Sequence, residues 1–215
     1  MNASVGFGGS CFQKDILNLV YGCESVGLSN VAEYWASVVA MNDYQKQRFV
    51  ERVISAMFNT VKGKKVAIYG FAFKKDTGDT RETPAIDVCK GLMEDGADLH
   101  IYDPKVEERQ IRLDLATPKF EWDHPSRPHA PVDERMMKVS KDPMEAAVGA
   151  HAAVGAVLQD ERGHARQLVH IDEGPSRRGV RGVRGVQRHL LAAAARGAAR
   201  GQRAVDAKEA GVAVA

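Results

Sequence analysis

Nine residues near the start of this chain, Phe7-Gly8-Gly9-Ser10-Cys11-Phe12-Gln13-Lys14-Asp15, have the types and spacing that nucleophilic chemistry needs. A cysteine that follows two glycines and a serine, and opens an amphipathic segment, is placed at a helix N-terminus. There the unpaired backbone N–H groups and the helix dipole favour the thiolate, the attacking form. Gly8 and Gly9 let the backbone come close to a ligand. Lys14 and Asp15 add one cation and one carboxylate within a turn of the sulfur. The plain alternative for a cysteine near a helix start is a packed small hydrophobe. Cys23 and Cys89 fit that alternative, each in an apolar-periodic stretch with no glycine cradle. The neighbours of Cys11 set it apart.

The elements that must position this segment follow from periodicity. From Ser10 to about Gly22, Ile16, Leu19 and Val20 form one apolar helical face. A second helix runs from Ser29, read as its N-cap, to about Phe58, with Val31, Trp35, Val38, Val39 and Met41, then Phe49, Val53, Ile54 and Met57, at spacings of three and four. At about 1.5 Å per residue it is a spine roughly 45 Å long, which suits a helix shared between domains or in a dimer. Its Met and aromatic stripe reads as core.

An α/β passage comes next. Lys64 to Tyr69 is a short apolar strand ending at Gly70, and the loop Phe71 to Thr83 holds three cations and three acids. Pro84 opens a helix to about Asp95 with Gly96 as its stop, and Leu99 to Tyr102 is the next strand, turning at Asp103-Pro104. Strand, loop, helix and strand make a βαβ unit, whose ligands bind at the carboxyl ends of the strands. The charged loop lies there. Such loops are commonly just solvated, but Phe71 and Phe73 interleaved with Lys74 and Lys75 suit a ligand made of a base and phosphates.

Composition divides the chain near residue 150. Residues 1–150 hold 12 Lys and 7 Arg against 22 acids, a net of −3, whereas residues 151–215 hold 1 Lys and 10 Arg against 6 acids, a net of +5. No Phe, Trp or Tyr follows Trp122, so the last stretch has little with which to build a dense core. Three widely spaced cysteines argue for a reducing compartment. No apolar run reaches the roughly 18 residues that span a bilayer, and no secretory signal opens the chain. A cytoplasmic protein without membrane contact or bound metal is expected.

The first 150 residues resemble the nucleotide-sugar dehydrogenase family, specifically its animal-type members that oxidise UDP-glucose. The runs Gly6 to Asp15, Met41-Asn42-Asp43-Tyr44-Gln45, Gly70 to Glu82 and Tyr102-Asp103-Pro104-Lys105 carry the resemblance through their order and spacing. The resemblance implies an N-terminal dinucleotide-binding domain, a helical central domain with a long dimerising helix, and a Rossmann-like nucleotide-sugar domain. Against that plan the chain reads as α/β: residues 1–60 as the central dimerisation domain with the nucleophile segment, and 61–154 as a partial UDP-sugar-binding domain. Residues 155–215 read as a disordered or poorly folded basic tail. The implied chemistry is the two-step oxidation of UDP-glucose to UDP-glucuronate by NAD, with the intermediate aldehyde held as a thiohemiacetal and then a thioester. Cys11 matches the nucleophile and Asp15 the carboxylate that handles protons and water. Phe7, Gly8, Gly9, Phe73 and Lys74 match substrate-contacting positions, and Cys11, Lys14 and Arg81 positions near NAD.

Departures from the family pattern qualify these implications. No Gly-x-Gly-x-x-Gly run follows a strand near the start, so the chain reads as lacking the first dinucleotide-binding domain, and as inactive by itself. The likeness fades after about Ala153, where the Ala/Gly/Arg-rich composition begins. Translation of a GC-rich gene in another frame accounts for that composition. A genuine basic tail, with Arg177 to Val186 as a short Arg-Gly-Val repeat, is the alternative; without aromatics it is a poor nucleic-acid signature, and nucleic acid is not expected as a partner. Besides a UDP-glucose-binding homo-oligomer, two readings stay open: a non-catalytic module that dimerises with full-length subunits, and an RNA-associated protein acting through its tail.

Overall fold

The computed structural model describes residues 5–74, 76–116, 134–155 and 169–171. All of them fall within one compact unit, which ends at Ile171. Two helices open the chain, α1 (Phe12–Ser25) and α2 (Ser29–Ala56), which pack on each other across a short turn. The α/β part comprises β1 (Lys65–Tyr69), α3 (Pro84–Glu94), β2 (Asp98–Tyr102), α4 (Glu108–Ala116), β3 (Met137–Val139), α5 (Pro143–Ala147), β4 (Ala152–Gly155) and β5 (Val169–Ile171). The sheet order is β3-β2-β1-β4-β5. The first four strands are parallel, while β5 runs antiparallel to β4.

With β1 at the centre, the chain crosses by α3 to β2 on one side and returns after β3 to β4 on the other. Strand order therefore reverses between β1 and β4, the place where open α/β sheets take their ligands. Strand alternation sends Val66, Ile68, Leu99, Ile101 and Val154 to one face, where they join Ala85, Val88, Cys89 and Leu92 of α3 in a single buried cluster. On the opposite face α5 packs against β1 and β2. There the Lys65 ammonium donates to the carbonyls of Glu145 (3.3 Å) and Val148 (2.7 Å), satisfying the end of α5.

Helix α3 forms for visible reasons. Pro84 occupies its first turn, where no N–H is needed, and the Thr83 hydroxyl accepts from the Ala85 N–H. Gly96 ends it with φ +83°. The expected βαβ unit is present, within a residue or two at each end. Two ends differ from expectation. Leu28, not Ser29, is the N-cap of α2: its carbonyl accepts from Val31 and Ala32, and Ser29 is already helical. Phe58 lies outside α2, because Phe58 and Asn59 both adopt left-handed backbone, with φ 61° and 58°.

The C-terminal half of α2 belongs to the same core as the sheet. Phe49, Val50, Val53 and Met57 lie in one cluster with Val66 and Leu92, so the line drawn at 60/61 crosses a shared core. The line at 154/155 falls inside β4, and β5 comes from beyond it. An exposed strand edge pairs through backbone groups and asks only for an extended segment, which Val169 and Ile171 favour by β-branching. The other expectations for residues 156–215 lie outside the described residues. Among the described residues no helix is long and apolar enough to cross a membrane.

Phe49→Ala should cost about 3–5 kcal/mol if α2 and the sheet share one core. Urea unfolding of the chain, followed by far-UV circular dichroism, measures this. A loss below about 1 kcal/mol would mean that α2 contributes little to the sheet's stability.

Candidate active site

Cys11 is the N-cap residue of α1, and its carbonyl accepts from the Asp15 N–H at 2.8 Å. The thiol is exposed, with the Ser10 hydroxyl 3.6 Å from its sulfur. In the first turn of α1, Lys14 and Asp15 pair at 3.2 Å with both side chains largely in solvent. The Phe7 and Phe12 rings meet edge to face at 4.7 Å, bracketing the glycines and the cysteine. By contrast Cys89 is fully buried, and burial pushes its thiol up to about 12. The apolar-packing account therefore holds for Cys89 and fails for Cys11.

The segment is seated on the loop that leaves β1. The Gly9 N–H donates to the Arg81 carbonyl at 2.9 Å. Gly8 presses so closely on the Glu82 carbonyl that a Cβ would collide with it. A Cβ on Gly9 would lie 2.9 Å from the Phe73 ring, and Gly9 has φ +96° besides. Both glycines are thus required by the seating itself. Lys74 places its ammonium 5.1 Å from the centre of the Phe73 ring, so Phe73 carries Gly9 against it and a cation over its face.

Two carboxylates shape that loop. Asp103, just beyond β2, accepts from Phe71 and Ala72 through one oxygen (2.7 and 3.1 Å) and from Lys105 and Val106 through the other (2.7 and 3.0 Å). Dinucleotide-binding folds use an acid on this strand end for a ribose hydroxyl; here both oxygens are spent on backbone. Asp79 holds Arg81 in a two-point contact, Nε at 2.9 Å and Nη2 at 2.6 Å, and also accepts from the Arg81 backbone N–H. The guanidinium hydrogen bonds hold the Asp79 carboxyl down at about 2. In return they raise the Arg81 guanidinium.

On its other side the segment rests on α2. The Asn42 carboxamide accepts from the Phe7 N–H (2.8 Å) and donates to the Phe7 carbonyl (3.2 Å). One turn on, the buried Lys46 ammonium lies 2.6 Å from Asp43 and 2.5 Å from Asp87 of α3. Burial opposes its charge, but the Asp87 and Asp43 carboxylates outweigh burial and raise its affinity for the proton.

The structure thus brings Phe7, Gly8, Gly9 and Cys11 together with Phe73, Lys74 and Arg81, from regions some 70 residues apart in sequence. Lys14 and Asp15 lie on the first turn behind Cys11 and touch each other rather than the loop. Lys75 lies outside the described residues. Sequence reading missed the parts played by Asn42, Lys46, Asp79 and Asp103. A signal for two of them was present: Asn42 and Lys46 continue the Phe49, Val50, Val53 stripe of α2, and polar residues on a buried stripe ask for an explanation.

Comparison with known proteins gives two adjoining domain matches. Residues 67–170 match the UDP binding domain of the UDP-glucose/GDP-mannose dehydrogenase family, and residues 1–44 match its central domain. The first match runs past Ala153, where the likeness in motifs fades. The chain is 66% identical over 163 residues to UDP-glucose 6-dehydrogenase 2 of Oryza sativa subsp. japonica, an overlap of 75% of this chain and 34% of that protein. It is 62% identical, over the same shares, to UDP-glucose 6-dehydrogenase 4 of Arabidopsis thaliana. The likeness drawn to animal-type members therefore extends to plant ones. A UDP-glucose dehydrogenase structure from the hyperthermophilic archaeon Pyrobaculum islandicum superposes with a TM-score of 0.56 at 26% identity, covering 73% of this chain and 31% of that one. The chain spans about a third of the length of the curated relatives it matches.

The Asp79–Arg81 pair sets a pH signature. A carboxyl lowered from 3.8 to about 2 favours the ordered loop above pH 4, and this contribution fades as the pH falls through about 2. An NMR titration of the Asp79 side-chain carboxyl should show a midpoint near 2 that returns toward 3.8 in Arg81→Gln. An unchanged midpoint in the variant would mean that the guanidinium does not hold it.

Proposed function

This chain belongs to the UDP-glucose/GDP-mannose dehydrogenase family, and from that premise we propose that it carries the nucleophile and the UDP-contacting part of a UDP-glucose 6-dehydrogenase. The observation that carries the reading is the seating of the Cys11 segment on the loop after β1, with Gly9 against Phe73 and Arg81. A nucleophile and a cationic, aromatic loop at the carboxyl end of a parallel sheet suit one extended substrate with a phosphate-bearing end and a reacting end. Lys74 and Phe73 take the uridine diphosphate, and Phe7, Gly8 and Gly9 line the path to the sugar.

At the reacting end the chemistry belongs to Cys11. Its thiolate attacks the aldehyde carbon at C6, forming a C–S bond, and the carbonyl oxygen takes a proton to give a thiohemiacetal. After oxidation to the thioester, water attacks the acyl carbon and the C–S bond breaks. The thiolate is released and the carboxylate of UDP-glucuronate forms. Asp15, one turn from the sulfur, relays protons to and from that water. NAD, when bound, supplies the hydride acceptor. Arg81, oriented by Asp79 on the loop that seats the Cys11 segment, fits one edge of NAD, and Lys14 in the first turn of α1 is a second candidate NAD contact.

Helices α1 and α2 support self-association. Leu17, Tyr21, Val31, Tyr34, Met41 and Tyr44 are exposed along them, with Leu28 exposed between them, and a second copy would cover these side chains. The free thiols suit a cytoplasmic protein.

The substrate reading is tested with the aldehyde intermediate. UDP-gluco-hexodialdose should protect Cys11 from iodoacetamide, as read by peptide mass spectrometry, while Cys23 labels at its ordinary rate. Calorimetry should find UDP bound at least tenfold more weakly by Lys74→Glu. Equal labelling of Cys11 with and without the aldehyde would count against the nucleophile role. Size-exclusion chromatography with light scattering should find a dimer or larger species at tens of micromolar. A clean monomer there would remove the association argument.

A further inference from the structure

Something must hold the Phe7–Cys11 segment down on α2, and Asn42, a polar side chain on the helix's buried stripe, does so. Asn42 is 5% exposed, and at that depth a carboxamide costs stability unless both its ends are bonded. Both ends go to one residue: the Phe7 N–H donates to Oδ1 and Nδ2 donates to the Phe7 carbonyl, as a neighbouring strand would pair. Gly6 lies so close that a Cβ on it would come 2.7 Å from Asn42 Oδ1. Two residues on, the Gly9 N–H is bound to the Arg81 carbonyl. The segment is therefore strung between α2 and the loop after β1. Lys46, bridging Asp43 and Asp87, ties α2 to α3, the helix that this same loop leads into.

We propose that Asn42 is a positioning residue for Cys11: its two-point bond to the Phe7 backbone keeps the Phe7–Cys11 segment in its seat between α2 and the loop after β1, where Gly9 meets the Arg81 carbonyl, while Lys46 keeps α2 and α3 at the spacing the segment needs. The inference rests on the reading of Cys11 as the nucleophile. A side chain that merely stabilised the chain path would alter stability without changing the reactivity of Cys11 relative to the other thiols. A positioning residue alters that ratio, because the released segment leaves its seat on the loop after β1 and the sulfur no longer has one fixed place on that surface.

The test alkylates the full chain with iodoacetamide and follows Cys11, Cys23 and Cys89 in the same sample by peptide mass spectrometry. Cys23, on α1 away from the segment, is the reference, and buried Cys89 reports whether the core is intact. In Asn42→Ala the Cys11-to-Cys23 rate ratio should fall at least threefold. Asn42→Asp keeps the acceptor for the Phe7 N–H but turns a carboxylate oxygen on the Phe7 carbonyl where the parent has a donor, so the ratio should fall there as well. If Asn42→Ala labels Cys89, Gly6→Ala decides instead, since its methyl group lifts the segment from an intact Asn42; the same fall is expected. An unchanged or increased ratio in Asn42→Ala and Asn42→Asp overturns the proposal. UDP-glucose protection of Cys11 is measured separately on the parent chain. Its absence would count against the substrate reading and leave the ratio test of Asn42 intact.

Discussion

The buried stripe of α2 has to satisfy two neighbours with one helical face, and most of the structure depends on how it does so. Its C-terminal half offers Phe49, Val50, Val53 and Met57 to the sheet side, where they enter the core with α3 and β1. One to two turns earlier the same face carries Asn42 and Lys46, which take up the backbone of Phe7 and the carboxylate of Asp87. One continuous helix thus fixes the nucleophile segment relative to the sheet. Gly91 of α3 permits the close approach, since a Cβ there would meet Val50 at 3.1 Å. A rigid rod of 28 residues, about 42 Å long, transmits that relation without a hinge.

Carboxylates that accept backbone N–H groups complete the frame. Asp103 bonds four of them and Asp79 bonds the Arg81 backbone and side chain together. A loop of this composition would otherwise be a solvated, mobile connection. Here it ends as a surface on which two glycines lie flush. The cost of ordering is met by charge-assisted hydrogen bonds rather than by apolar burial, which leaves the rim of the site open to a polar ligand. Cys11 is exposed on that rim while Cys89 is sealed in the core, and the difference is one of seating, since both are unmodified thiols on helices.

Much of this was legible in the residues. β1, α3 and β2 follow from short apolar runs, from Pro84 and Gly96, and from the alternation of apolar positions. The Cys11 segment and the Phe71–Thr83 loop could be singled out because glycines beside a cysteine, and aromatics beside lysines, are unusual enough to notice. The later elements were harder to see. β3, β4 and β5 are three or four residues long, and α5 is five, too short to establish a period. Side-chain chemistry points to Ser29 as the cap of α2, whereas the helix starts on the backbone carbonyl of Leu28 alone.

Local order along the chain is therefore enough for the chemical types at the site, for the helix that presents Cys11 and for the βαβ unit behind the loop, since each depends on neighbours within a few residues. The meeting of Gly8 and Gly9 with Arg81, Glu82 and Phe73, the grip of Asn42 on Phe7, and the sharing of one core by α2 and the sheet are not written at that range. They join residues 35 to more than 70 positions apart, and such pairs form only when hydrophobic burial of the α2 stripe against α3 and β1 brings them within hydrogen-bonding distance. Burial supplies the drive, and the polar contacts choose the register.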